Sequence, residues 1–412
     1  MTYQFPRNFW WGTATASHQV EGGNVYNDNW LMEHTPGMMY KESSGDAIDH
    51  YHRYPEDIAL LGNLGFNLYR FSLEWSRIEP EEGEFSYAAL EHYRRMLAAC
   101  HEHGLTPMVT FNHFTSPRWL MRYGGWANQK TAGLFARFCE RAARHLGDLI
   151  GAACTLNEIN LPMFFNIAGF FRLEDLCQSP AFTTVSRSLG IQPEQFVPFL
   201  LAVTSEARQV ILAAHRQGVD ALKSGPGSYP VGVTLAIQDI QPAPGGEEAA
   251  AHNSREINDV YLEALVGDDF VGVQSYTRQR IGPSGFLPPE TGFELTQTGY
   301  EFYPQALENA IRHAIAVAGI PVIVTENGLA TDDDTRRIEF IRQALQGVAR
   351  CLQDGLDVRG YTYWSAFDNF EWMSGYSMRF GLVAVDRQTQ QRTIKPSAHW
   401  LGEIARTGIL PK

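Results

Sequence analysis

The chain has 412 residues, of which 44% are hydrophobic and 19% charged, with a formal net charge of -13. That is the composition of a folded globular protein, and the negative charge argues against nucleic acid and anionic membrane as partners. No apolar stretch reaches the roughly 18 residues of a membrane-spanning helix, and the leading residues MTYQFPRNFWWG lack the basic and apolar regions of a secretory signal. The five cysteines, Cys100, Cys139, Cys154, Cys177 and Cys351, are odd in number and form no C-x-x-C pair. A disulfide scaffold or zinc site is disfavoured, and reduced thiols in a cytoplasmic enzyme fit better.

In chain order, the first strand is expected at WWGTATA (10–16) and the second at FNLYRFSL (66–73). A helix-period segment follows at 87–104, closing on Gly104 as a C-terminal cap should. TPMVTFN (106–112) reads as a third strand, 131–147 as a helix and AACTLN (152–157) as a fourth strand. The segment 159–182 reads as a loop unusually rich in Met, Phe and Leu. VGVTLAI (231–237) and DFVGVQS (269–275) are the fifth and sixth strands, set off by the Pro/Gly loops 225–232 and 241–246. A helix is expected over 302–319 with Pro304 in its first turn, then strands at PVIVTE (321–326) and VRGYTYWS (358–365).

Eight short apolar strands alternating with helices imply buried parallel strands. The economical arrangement is an α/β fold, a single (β/α)8 TIM barrel with extended βα loops spanning residues 1–412. An open doubly wound sheet is the alternative, disfavoured because no G-x-G-x-x-G turn follows the first strand. A barrel carries its chemistry at the C-terminal strand ends. Those ends bear Arg70, His113, Asn157 with Glu158, Gln274 with Tyr276, Glu326 and Trp364. Polar residues follow strands in any protein, so one such position means little; the set carries the inference.

Two carboxylates, Glu158 and Glu326, close the fourth and seventh strands and would face one another across a barrel mouth. Such a pair suits glycoside cleavage, one group attacking the anomeric carbon and the other protonating the leaving oxygen. Asn157 can hold a neighbouring sugar hydroxyl, Arg70 can keep Glu326 ionised, and Tyr276 can donate to the same carboxylate. A plain ion pair for Arg70 and a core position for Tyr276 stay open. Trp364 and Trp372 beside Glu371 suit a sugar's C–H faces and hydroxyls, or form a packed aromatic corner with Asp368 and Asn369 capping a turn.

FWWGTATASHQVEG (9–22), YRFSLEWSRI (69–78), TFNHF (110–114), TLNE (155–158), VTENG (324–328), WSAFDNFEW and GYSMRFGLVAVD (within 364–386) stand in the order, and over nearly the whole length, of one known family. The chain resembles glycoside hydrolase family 1, the β-glucosidase and β-galactosidase group. The resemblance implies a retaining β-glycosidase with Glu326 as nucleophile and Glu158 as general acid/base. It implies Gln19, His113, Asn157, Glu371 and Trp372 as contacts to the nonreducing-end sugar, Trp364 as its stacking platform, Arg70 and Tyr276 as supports of the nucleophile, and no cofactor or metal. The expected partners are β-glucosides or small oligosaccharides, with a homo-oligomer left open.

Departures from the family pattern concern specificity. Phe114 replaces a common Trp and cannot donate a hydrogen bond. Ser275 replaces a Tyr, Gln274 an Asn, His18 a Tyr and Tyr300 a Trp. The atypical segment 159–182 is read either as core or as an apolar leaving-group site near Met163, Phe164, Phe165 and Phe170. The latter would favour sugar transfer to apolar acceptors.

Overall fold

The computed structural model describes residues 2–411. Eight parallel strands close into a barrel: β1 (Trp10–Ala14), β2 (Leu68–Ser72), β3 (Thr106–Asn112), β4 (Ala152–Leu156), β5 (Val231–Ala236), β6 (Phe270–Gln274), β7 (Val322–Glu326) and β8 (Val358–Trp364). Each pairs with its sequence neighbours, and β8 returns to β1 in register from Gly360↔Trp10 to Trp364↔Ala14. Each strand is followed by a helix packed outside: α1 (His50–Leu64), α2 (Tyr87–Glu102), α3 (Lys130–Leu146), α4 (Ser205–Lys223), α5 (247–263, with a wider turn at Arg255–Asp259), α6 (Ala306–Ala318), α7 (Asp334–Gln353) and α8 (Pro396–Thr407). This is the (β/α)8 barrel expected from the strand pattern.

The barrel separates two kinds of side chain. Outward positions such as Val271, Val273, Val322 and Val324 join the large core under the helices. Inward positions low in the barrel, Leu68, Met108, Cys154, Phe270 and Ile323, form an apolar inner plug. Above it the inward residues turn polar: Arg70, Thr110, Thr234, Gln274 and Thr325 are all buried. The register of β7 against β6 shifts between Val324 and Glu326, and such an irregularity re-aims the following side chain. Glu326 thereby reaches Arg70 on the far side of the mouth.

Two local expectations change. The helix expected over 302–319 begins at Ala306, and Pro304 lies in the preceding turn. Phe302 and Tyr303 are drawn away by side-chain packing, Phe302 against Phe340 and Tyr303 beneath the Arg278 guanidinium. The segment 159–182 is largely helical, with helices at Leu161–Ala168, Leu173–Cys177 and Pro180–Ser188. Its apolar content is explained in part by burial, since Met163, Phe164 and Phe182 are core residues. No helix among the described residues is long and apolar enough to cross a membrane.

Gly272 leaves no room for a side chain beside the polar layer. A Cβ there would stand 2.7 Å from Thr234 Cγ2 and 2.8 Å from Thr325 Oγ1. Overpacking a close-packed barrel costs about 1–3 kcal/mol. Gly272→Ala is therefore expected to lower the free energy of unfolding by that amount in denaturant titration, with the slope unchanged.

Candidate active site

The site is built on Arg70. Its guanidinium is fully buried at the top of β2, and it donates from Nη1 to Glu326 Oε1 at 2.6 Å. It also donates from Nη2 to Asn157 Oδ1 at 2.5 Å and from Nε to Thr110 Oγ1 at 3.1 Å. The second oxygen of Glu326 accepts from Tyr276 Oη at 2.6 Å. Burial, and then the charge of Glu326, hold the Tyr276 phenol well above its usual range, so it remains a donor.

Asn157 is oriented by the donors around it. Arg70, Thr234 Oγ1 and Gln274 Nε2, the last two at 3.0 Å, all give hydrogen bonds to Oδ1. Its amide nitrogen therefore faces His113 Nε2 at 3.2 Å and donates to it. That bond leaves the proton of the imidazole on Nδ1, which is buried without a partner. Burial and the charge of Arg70 push His113 well below the usual histidine range, so the ring is neutral.

Glu158 follows Asn157 on a left-handed backbone with φ 47°. Its amide donates to Thr234 Oγ1 at 3.0 Å, whereas its carboxyl group makes no hydrogen bond with a described residue. Burial first, and then the negative charge of Glu326, hold Glu158 well above the carboxylate range. Burial pushes Glu326 up too, but Arg70, Tyr276 and Gln274 pull against it. The two acids are thus made unequal by their partners: Glu326 is the one to ionise and Glu158 the one to keep a proton.

The sugar-facing candidates gather on the other side of the mouth. The His113 ring lies near-parallel to Trp364, 23° between planes and 5.7 Å between centroids. Trp372 lies near-parallel to both His113 and His18. Trp364 Nε1 donates to Glu371 Oε1 at 3.2 Å, and desolvation pushes Glu371 well above the carboxylate range. Gln19 Nε2 donates to Asn369 Oδ1 at 3.0 Å and Phe370 O at 2.7 Å, leaving its own Oε1 buried and unpartnered. Phe114, Glu158 and Trp372 all have positive φ although none is glycine. Each such backbone costs on the order of 1–3 kcal/mol, and strain of this kind collects at functional sites.

All ten residues expected from the sequence therefore stand around one mouth or one shell below it. The sequence reading did not single out Thr234, Thr110 or the Gln274–Asn157 contact. Asn369, read there as a turn cap, donates from Nδ2 to Ser365 Oγ and Phe367 O within its turn, and its Oδ1 accepts from Gln19 Nε2 and so orients that side chain. Asp368 pairs with Lys395 at 2.8 Å and belongs to the fold alone. Phe114 fills its position by packing against Trp372 and Phe199. Among the described residues no three His, Cys, Asp or Glu side chains are grouped to hold a metal ion.

Comparison with known proteins agrees with this geometry. The family model described as Glycosyl hydrolase family 1 matches residues 1–282 and 288–409. Beta-glucosidase A of Acetivibrio thermocellus is 31% identical, the alignment covering 98% of each chain. The crystal structure of the beta-glycosidase BGL167 superposes with a TM-score of 0.96 at 56% identity, over 98% of this chain and 97% of that one. The beta-glucosidase from Thermotoga maritima, solved in complex with deoxynojirimycin, gives 0.84 at 28% identity, over 98% and 99%. Sequence and fold thus agree along nearly the full length, and the chain belongs to glycosyl hydrolase family 1.

Proposed function

We propose that the protein is a retaining β-glycosidase, foremost a β-glucosidase, that removes terminal nonreducing β-D-glucosyl residues by double displacement, the whole chain serving as one catalytic domain. The observation that carries this is the inequality of the two buried acids. Glu326 is pinned by Arg70 and Tyr276, whereas Glu158 is desolvated, unbonded and held protonated. In the first step a Glu326 oxygen attacks the anomeric carbon while Glu158 gives its proton to the departing glycosidic oxygen. The products are a glycosyl ester of Glu326 and a free alcohol.

The second step reverses the roles. Esterification removes the charge of Glu326, and with it the repulsion that favoured a proton on Glu158. Glu158 then takes a proton from water as the water oxygen attacks the anomeric carbon, releasing the sugar with its configuration retained. Asn157, with one amide hydrogen on His113 and the other free, is positioned beside this chemistry to hold a sugar hydroxyl. Gln19 Oε1 and His113 Nδ1 offer an acceptor and a donor for other hydroxyls. Trp364 gives an apolar face, and Glu371 and Trp372 complete the sugar site. A cytoplasmic location is part of the same proposal, in keeping with five free cysteines.

A second reading, sugar transfer to apolar acceptors, is favoured by an aromatic shelf that begins six residues after Glu158. Phe164 and Phe165 each pack on Phe170, Phe164 also on Phe286, and Phe170 remains 63% exposed. Met163 and Phe164, both expected among these residues, are buried in the core, so Phe164 backs the shelf while Phe170 presents it to solvent. If the shelf receives leaving groups and acceptors, Phe170→Ala lowers the transfer-to-hydrolysis ratio with an added aryl alcohol about tenfold, while hydrolysis of a methyl β-glucoside stays within about threefold. An unchanged ratio measured by product analysis returns the shelf to a packing role.

Three substitutions test the main reading. Glu326→Ala is expected to abolish turnover of an aryl β-glucoside. Glu158→Ala is expected to lose roughly 10²–10⁴-fold on poor leaving groups, the usual worth of proton transfer, to spare good ones, and to yield β-glycosyl azide when azide is added. A retained azide product from Glu326→Ala instead would exchange the two roles. Arg70→Met removes the charge that draws Glu326 down, so the acid limb of the kcat/KM profile moves to higher pH, with a loss of roughly 10²–10³-fold at the optimum. An unmoved acid limb would assign that limb to another group.

A further inference from the structure

We infer that Glu74 is a positioning residue for the sugar site, setting the spacing between the segment that carries Gln19 and the segment that carries His113. The inference rests on the proposed function. Glu74 lies four residues after Arg70, in the turn leaving β2, and its side chain is fully buried. One carboxylate oxygen, Oε2, accepts from Ser17 Oγ at 3.1 Å and from Thr115 Oγ1 at 3.0 Å. The other, Oε1, accepts from Ser76 Oγ at 2.7 Å.

The two donors on Oε2 come from different loops. Ser17 opens the short helix Ser17–Val20, whose third residue is Gln19. Thr115 follows His113 by two residues, and its amide donates to the His113 carbonyl at 2.9 Å. A single oxygen shared by both means that neither loop can shift without the other. The turn that holds Glu74 is itself anchored: its amide donates to Tyr93 Oη at 2.9 Å, and that hydroxyl donates to Glu21 Oε1 at 2.7 Å. Ser72 Oγ at the end of β2 receives the Ser17 amide at 2.7 Å, fixing the same helix from below.

A carboxylate is a costly group to bury here. Among the described residues no Lys, Arg or His forms an ion pair with Glu74, so its oxygens are satisfied by hydroxyl groups rather than by a cation. A group that merely filled the core would be apolar. The site above supplies the reason for paying that cost. Gln19 Oε1 and His113 Nδ1 are buried without partners, and a sugar ring can bond to both at once only at a fixed separation. Hydrogen bonds made to hydroxyls in the transition state lose strength steeply with misplacement.

The test is a thermodynamic cycle on kcat/KM for an aryl β-glucoside, with active sites counted by covalent trapping. Glu74→Ala is expected to lose at least about tenfold in the otherwise native enzyme, and less than about threefold where Gln19→Ala and His113→Ala are already present. Glu74→Gln, which keeps one oxygen for both hydroxyls, is expected to restore kcat/KM to within about threefold of native. Equal losses in both backgrounds would reduce Glu74 to a fold-stabilising residue and overturn the inference. If Glu74→Ala does not fold, Ser17→Ala with Thr115→Val cuts the same two bonds and is read in the same cycle. A native enzyme without turnover would refute the function rather than this inference, and binding of a glucose-configured iminosugar, followed by calorimetry, then supplies the same comparison.

Discussion

The buried ion pair of Arg70 and Glu326 is the interaction on which the mouth of the barrel depends. The guanidinium spans the polar layer from β3 to β7, bonding Thr110, Asn157 and Glu326 at once. Removing one partner from such a pair costs about 3–5 kcal/mol, because the charge left behind stays buried. The fold accepts that exposure to failure because the pair performs two tasks. It draws Glu326, the proposed nucleophile, toward ionisation against the effect of burial, and through Asn157 it passes its orientation to His113 and to the backbone just before Glu158.

The negative charge of Glu326 is then used again. Beyond the effect of burial, it raises its neighbour Glu158, whose carboxyl group makes no hydrogen bond with a described residue to stabilise ionisation. Both side chains are desolvated, and the asymmetry between them comes from what surrounds each: Arg70, Tyr276 and Gln274 pull Glu326 down by charge and hydrogen bonds, whereas Glu158 feels only the charges of Glu326 and Arg70. In the proposed double displacement, esterification of Glu326 removes its charge, and Glu158 changes from an acid in the first step to a base in the second. The Glu74 hub belongs to a different part of the machinery. It governs where the sugar hydroxyls are met and leaves the two acids alone.

Much of this was legible in the sequence. The eight strands stand within two residues of their expected bounds, because buried parallel strands are short, continuous apolar runs bounded by turns. Glu158, Glu326, Arg70 and Tyr276 were legible because strand ends in a barrel converge. What was not legible depends on lateral register. Thr234 sits inside an apolar run, and its bond to Asn157 follows only from how β4 and β5 align. Glu74 was hidden in a matching motif, since its partners Ser17 and Thr115 are distant in sequence. The helix α4 escaped notice because much of its buried face is Ala, Gly and His, a weak apolar stripe. The segment 159–182 was read as a loop because its helices are short and broken by Gly169 and by Pro180 at a helix start.

The central claim is that the charge of Glu326 adds to desolvation in holding the proton on Glu158. It is tested most directly by following the Glu158 carboxyl carbon by NMR against pH, in the free enzyme and in the enzyme carrying a stable glycosyl ester on Glu326. The account requires the Glu158 titration to move to lower pH on esterification, because the neighbouring negative charge has gone. A titration that stays in place, or moves upward, would show that desolvation alone sets the proton on Glu158 and would contradict the account.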